Sequence, residues 1–171
     1  GVEEAKDLKA KWLAQWDMAP YFAKISTLMK AGHDDFGKSL GDIEQFISGR
    51  IRGKARYCAV ANGFFQSLAA DGAKAALYAI QKACYLQSGR LYGGRCFAFL
   101  YDETILELPE ERAADMAPVQ AEIMIDEMQV YTPDVKITAT PALQRCWYKA
   151  AEAVYNPEGR LIPWEPPKLK C

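Results

Sequence analysis

The chain has 171 residues, half of them hydrophobic, and its 21 basic and 22 acidic side chains leave a net charge of −1 at pH 7. This length and composition predict one domain over residues 1–171 that is large enough to bury a hydrophobic core. Nothing resembles a signal peptide, and no apolar run approaches the roughly 18 residues of a membrane span, so we expect a soluble, cytoplasmic protein. Five cysteines, odd in number and without Cys-x-x-Cys spacing, favour reduced thiols over disulfides or a zinc site.

The beginning of the chain is predicted to be helical. Apolar residues that include Trp12 and Trp16 recur at helical spacing, so residues 3–17 are predicted to form an amphipathic helix whose aromatic stripe faces a partner surface. A proline precedes a second predicted helix over residues 21–29. Glycines then interrupt the pattern, and residues 42–47 are predicted to form a short helical turn.

Charge is unevenly distributed along the sequence. Residues 38–95 hold nine basic and three acidic side chains, whereas residues 102–127 hold nine acidic and one basic. In the basic part, four cations recur at every second position: Arg50, Arg52, Lys54 and Arg56. An extended segment would line them along one edge, which suits phosphates; a solvated basic loop is the alternative.

A long helix and a hairpin are predicted next. Residues 64–86 contain no proline and carry a stripe of mostly small residues at helical spacing. After a glycine-containing turn, residues 95–100 and 104–108 are predicted to pair as antiparallel strands, with Asp102 and Glu103 at the bend.

These two carboxylates interrupt an otherwise apolar hairpin. An ionised carboxylate beside a core costs on the order of 2 kcal/mol or more unless a cation or hydrogen-bond donors compensate it, so a bound metal is the first candidate. A solvated turn is the alternative, although two-residue turns prefer Asn-Gly or Asp-Gly to Asp-Glu. The hairpin segment by itself leaves both interpretations open.

The remaining sequence predicts helix, strand and tail. Residues 109–111 open a helical region that Pro118 is predicted to kink or split. Residues 135–140 alternate like a third strand, and residues 156–171 hold four prolines and are predicted to form an extended arm over the surface. The predicted fold is α+β and mostly helical, with an antiparallel hairpin and a third strand packed against helices.

Three segments in order resemble the C-terminal half of family A DNA polymerases. Residues 62–71 match the family's helix, written Asn-x-x-x-Gln-Gly-x-Ala-Ala-Asp, and residues 99–103 match its strand ending in His-Asp-Glu. The basic residues 49–52 lie where the family has a Gly-Arg-Arg segment, and residues 145–164 look like the phage-type members. The resemblance spans nearly the whole chain, with residues 1–31 matching only loosely, and implies the palm and fingers portion of a phage-type enzyme.

The resemblance implies nucleotidyl transfer from a dNTP to a primer on template DNA. Asp102 would hold the catalytic pair of Mg²⁺ ions, and Glu103 would be the accompanying metal-site acid. Asn62 and Gln66 would touch the template-primer DNA from the minor-groove side, where amides reach acceptors shared by all base pairs.

Further DNA contacts are implied for three other residues. Arg50 and Arg52 would hold template or primer phosphates. Tyr101 replaces the family's His and would pack or hydrogen-bond near the primer end, but it cannot supply an imidazole. Ser67 stands where the family has Gly after the Gln.

The sequence lacks the family's Asp-Tyr-Ser-x-Ile-Glu segment, which supplies the second metal-binding aspartate, and its fingers helix. We therefore expect this chain to be inactive alone and to act with a remaining polymerase segment or chain that carries the other catalytic Asp. It would be a split subunit, a truncation or a proteolytic fragment, in a bacterial or phage-infected host. The helix bearing Trp12 and Trp16 would contact the missing piece. Pairing of two copies as a homodimer is another way to cover the exposed edge of an incomplete palm.

Two other hypotheses remain open. A non-catalytic nucleic-acid-binding or assembly module derived from a polymerase palm would keep the scaffold without half of the site. A metal-dependent hydrolase built on the turn at Asp102 and Glu103 would need further ligands, and none stands at a recognisable spacing.

Overall fold

The computed structural model describes residues 1–166, and it confirms the predicted α+β fold class. The chain divides into two compact units, residues 1–68 and 69–171, and the boundary falls inside a long helix. The single domain expected from the sequence stays a prediction. Within residues 1–166, no helix has the length and hydropathy needed to cross a membrane.

The first unit joins two helices and a small sheet to the start of the long helix. In chain order its elements are α1 Val2–Gln15, α2 Ala19–Leu28, β1 Gly32–His33, β2 Ser39–Glu44, β3 Ile51–Arg56 and the beginning of α3 Tyr57–Tyr85. The strands form an antiparallel sheet in the order β1-β2-β3. The two predicted helices near the start are confirmed within two residues at each end.

The predicted helical turn over residues 42–47 is wrong, because the first half of that segment belongs to strand β2 and no helix forms in the rest. Gly41, Ile43 and Gln45 are buried, whereas the residues between them are exposed. This period of two places one face of the strand against the core, as β structure requires. The core of the unit consists of Ile25 and Val60 from the helices with Ile43 and Ala55 from the sheet.

The second unit contains the rest of α3 and all later elements. These are β4 Arg95–Leu100, β5 Glu103–Glu107, α4 Ala113–Tyr131, β6 Leu143–Gln144, β7 Val154–Tyr155 and β8 Leu161–Trp164. β4 and β5 form the predicted antiparallel hairpin, and β6, β8 and β7 form a second small sheet in that order. Its core is built from Ile80 and Cys84 of α3, Leu91 and Met116.

The third strand predicted over residues 135–140 is not formed. Prolines precede and follow this segment, and none of its residues is buried, so its alternating pattern has no core face to stabilise a strand. The Gln129 side chain instead binds the carbonyl of Val135 at 3.0 Å. Helix α4 also continues through Pro118 without the predicted split.

The tail predicted over residues 156–171 is not wholly a surface arm. Leu161 is buried, and β8 pairs with both β7 and β6. Pro163 is tolerated because β7 pairs with residues 161–162 and β6 with residues 163–164, so no single position of β8 has neighbours on both sides. Residues 167–171 of the tail lie outside the described residues.

Candidate carboxylate turn and nucleic-acid surface

The predicted carboxylates lie at the closed end of the β4-β5 hairpin. Leu100 is paired with Glu103, so the connecting loop consists of only Tyr101 and Asp102. The sequence placed both carboxylates at the bend, and this is correct for Asp102 but wrong for Glu103, which is the first residue of β5. A two-residue loop holds the Asp102 backbone in a narrow range of conformations between two paired strands.

Tyr101 occupies an unusual backbone conformation at this turn. Its φ angle is +58°, in the left-handed region that glycine and asparagine usually supply in two-residue hairpins. Its side chain is 95 % exposed. A bulky residue in the left-handed region costs about 1–2 kcal/mol. Within the described chain, no side-chain contact of Tyr101 offsets that cost.

The base of the hairpin is fixed to helices of the same unit. Cys96 and Leu106 are directly paired across the strands, and both pack on the core formed by α3 and α4. The Gln120 side chain of α4 donates a hydrogen bond to the carbonyl of Thr104 at 2.6 Å. The tip is therefore held by a rigid base while Tyr101 and Asp102 project from it.

The burial cost that the sequence suggested for these carboxylates is small. Asp102 is exposed and Glu103 is only partly buried, so water solvates both and neither requires a cation on energetic grounds. The two could supply oxygen ligands to Mg²⁺ from adjacent positions. Among residues 1–166, no three His, Cys, Asp or Glu side chains are grouped closely enough to hold a metal ion. A metal at this turn needs ligands beyond those that the described chain assembles.

In the first unit, helix α3 presents Asn62 and Gln66 together. The helix begins at Tyr57, seven residues earlier than predicted, so Asn62 lies inside it and not at its start. Residues four apart lie one above the other on a helix, and both amide side chains are exposed. No described residue hydrogen-bonds to either amide, which leaves their donors and acceptors available to a ligand.

The two predicted phosphate-binding arginines differ in their surroundings. The Arg50 guanidinium is partly buried and donates a hydrogen bond to the carbonyl of Ser67 at 2.7 Å. Arg52 is exposed on β3, and its guanidinium has no partner among residues 1–166. Arg50 thus ties the sheet to α3, whereas Arg52 is the cation that can reach a phosphate.

The predicted row of four cations along one edge is wrong, because β3 contains a bulge. Arg52 is paired with Ile43 and Arg56 with Leu40, and the register shifts between these pairs. Residues paired across strands share a face, and positions 40 and 43 lie on opposite faces of β2, so Arg52 and Arg56 point to opposite sides of the sheet. Lys54 carries the bulge with a φ of +52°.

Two residues that position α3 were not identified from the sequence. The Gln45 side chain is buried and donates to the carbonyls of Gly63 and Phe64, at 3.3 and 3.0 Å. A Cβ atom on Gly63 would lie 2.2 Å from Ile43 Cδ1, so a larger residue at this position would force the Ile43 side chain to move. Residues 41, 43 and 45 alternate with exposed residues, and this strand pattern could have predicted that Gln45 is buried. The prediction of a helical turn over the same residues hid the pattern.

Comparison with protein-family models, with curated proteins and with solved structures finds no match to this chain. The first unit contributes an exposed pair of amides and an exposed arginine. The second contributes an exposed carboxylate on a rigid hairpin.

Proposed function

We propose that this chain is the C-terminal part of a DNA-directed DNA polymerase of family A type. Asp102 and Glu103 contribute oxygen ligands to a Mg²⁺ pair for nucleotidyl transfer, and the remaining aspartate comes from another segment or chain. The observation that carries the proposal is the tight hairpin turn, which presents Asp102 to solvent at a fixed position. Phosphoryl transfer depends on positioning and charge more than on covalent chemistry, and such a turn supplies both.

Tyr101 adds support from its backbone. Strained residues persist where the strain serves a purpose, and this one contacts no core that would explain it. In the proposed enzyme, the exposed ring packs against the primer end beside the metal-bound carboxylate. Tyr101→Gly is accordingly expected to stabilise the folded chain by about 1 kcal/mol while weakening template-primer binding. A variant that gains stability and loses no affinity would remove this support.

The amide pair and Arg52 support contact with DNA. Side-chain amides can read the acceptors common to all base pairs in the minor groove, and the exposed guanidinium can neutralise a phosphate. The binding is measured by fluorescence anisotropy with a labelled template-primer duplex over a range of salt concentrations. Asn62→Ala and Gln66→Ala should each weaken binding, while Gln15→Ala on α1, also an exposed helical amide, should leave it unchanged.

The arginines provide a test that separates contact from structure. Arg52→Ala should lower the slope of log K against log salt by about 0.9, the effect of one lost phosphate contact. Arg50→Ala should lower the urea midpoint of unfolding, because it breaks the bond to Ser67. Equal effects of the two substitutions on the salt slope would contradict this assignment.

Primer extension tests the proposal as a whole. The chain alone should incorporate no nucleotide, and addition of a segment or chain that carries the other aspartate should produce extension that depends on Mg²⁺. Incorporation by the chain alone would overturn the expected division of the site. DNA binding without extension in the combined sample would favour the non-catalytic nucleic-acid-binding module instead.

A further inference from the structure

A surface cavity of about 590 Å³ opens in the first unit, and its lining includes none of the residues of the proposed function. It lies where the end of α2, the start of β2 and the junction of β3 with α3 meet. The lining residues with useful chemistry are Met29, Lys38, Ser39, Arg56, Tyr57 and Cys58.

The charge of this cavity favours an anion. Lys38 and Arg56 both line it, and no acidic side chain does. Arg56 is paired with Asp34 at 2.9 Å, so part of its charge is already compensated. Lys38 has no ion pair among residues 1–166. The unbalanced positive charge therefore belongs to the Lys38 ammonium group, and the Ser39 hydroxyl also lines the cavity.

Two hydrogen bonds fix the backbone of Lys38. Its N–H donates to Asp34 Oδ1 at 2.9 Å, and its carbonyl accepts from the Asp34 N–H at the same distance. These two bonds close the turn between β1 and β2 and fix the backbone from which the ammonium group projects. The fixed backbone removes part of the entropy cost of ordering the Lys38 side chain on an anion.

The rest of the cavity suits a flat ring. Tyr57 presents a partly exposed aromatic side chain, and Met29 adds a polarizable thioether that packs well against aromatic groups. A ligand with a ring stacked on Tyr57 and an attached phosphate near Lys38 would contact both the aromatic and the cationic residues of the lining. Inorganic phosphate would contact only the cation, and an uncharged ring would contact only the aromatic and thioether groups.

We propose that this cavity binds a small aromatic phosphate ester of the nucleoside monophosphate class. Lys38 and Ser39 hold the phosphate, and Tyr57 with Met29 holds the ring. The site lies entirely within the first unit, and the proposal does not rest on polymerase activity.

The chain contains its own reporter for this site. Cys58 is exposed and lines the cavity, and Cys146 is exposed in the second unit and serves as the internal control. AMP should slow iodoacetamide alkylation of Cys58 by the factor 1 + [L]/Kd, about fivefold at four times Kd, without slowing Cys146. Adenosine and inorganic phosphate should each protect Cys58 only at concentrations about tenfold higher or more. Peptide mass spectrometry measures both rates in one sample.

Variants separate the proposed contacts from general effects. Lys38→Gln and Tyr57→Leu should each raise the AMP concentration needed for protection by about tenfold. Lys9→Gln on exposed α1 should not change it. Circular dichroism verifies that each variant is folded. The proposal would be overturned if AMP, adenosine and phosphate protected Cys58 equally, or if Lys38→Gln left the protection unchanged. Protection that extends to Cys146, or a lack of saturable protection by millimolar AMP, would also overturn it.

Discussion

The close approach of α3 to the sheet at Gly63 predicts a specific coupling with Ile43. A Cβ added at Gly63 would lie 2.2 Å from Ile43 Cδ1 and 3.7 Å from Cγ1. Carbon atoms make favourable contacts at about 3.5–4.0 Å, so Cδ1 must move, whereas Cγ1 can stay. Ile43 is 3 % exposed inside the core and has little space into which Cδ1 could rotate.

The magnitude follows from two opposing terms. Overpacking of a core costs about 1–3 kcal/mol, whereas replacement of glycine by alanine in a helix gains about 1 kcal/mol. Gly63→Ala should therefore lower the free energy of unfolding by roughly 0–2 kcal/mol. Ile43→Val costs about 0.5–1.5 kcal/mol alone, but it removes the clashing methyl group. In that background Gly63→Ala should gain up to about 1 kcal/mol.

Urea unfolding followed by circular dichroism at 222 nm measures all four members of this cycle. The expected coupling free energy is about 1–3 kcal/mol, which is large enough to separate from experimental error. Additive effects of the two substitutions would show that helix and sheet do not meet closely at this point. The position of Asn62 and Gln66, which flank Gly63 along the helix, would then need another explanation.

Two further predictions concern ionisable groups. Burial raises the pKa of the Cys84 and Cys96 thiols, so at pH 8 both should be alkylated more slowly than exposed Cys58, and equal rates by peptide mass spectrometry would contradict their placement in the core. The hydrogen bond from the Lys38 N–H is the largest effect that holds the pKa of Asp34 below its ordinary value of 3.8. The ionised Asp34 carboxylate stabilises the fold above pH 3.8, and this contribution is lost as the pH falls through the folded-state pKa. The difference in urea midpoint between wild type and Asp34→Asn should therefore be constant from pH 5 to 7 and shrink below about pH 3.8. A difference that grows toward low pH would refute this sign.

Local patterns in the sequence predicted the elements that depend on local chemistry. The hairpin was predicted to within one residue at each strand end, since its apolar strands and polar bend form a short-range signal. The early start of α3 was missed, because Gly63 resembles a helix boundary when its packing against Ile43 is unknown.

Tertiary context decided the remaining differences. The bulge at Lys54 depends on Asp42 across the sheet, whose carboxylate accepts the Lys54 N–H at 2.7 Å. An alternating pattern along β3 cannot reveal that partner. Residues 135–140 have strand-like alternation but no buried face, and burial is what makes such a pattern stable.

At the candidate site, too, the sequence predicted local features, whereas exposure and side-chain partners depended on the fold. Asp102 was predicted at the bend, but the sequence could not show that a two-residue loop would leave it exposed and put Glu103 on the strand. The sequence also assigned Arg50 and Arg52 equal roles. Only the fold distinguishes the guanidinium bound to Ser67 from the exposed one.

The central claim is that Asp102 holds a catalytic metal, and nucleotide incorporation by the reconstituted enzyme tests it most directly. Asp102→Asn is compared with Glu107→Gln, which removes one exposed negative charge from the same hairpin. Asp102→Asn should lower the incorporation rate by about a thousandfold or more while template-primer affinity stays within about twofold, because a lost metal ligand removes several kcal/mol of transition-state stabilisation. Glu107→Gln should retain the wild-type rate. Similar rates for Asp102→Asn and Glu107→Gln would contradict the account.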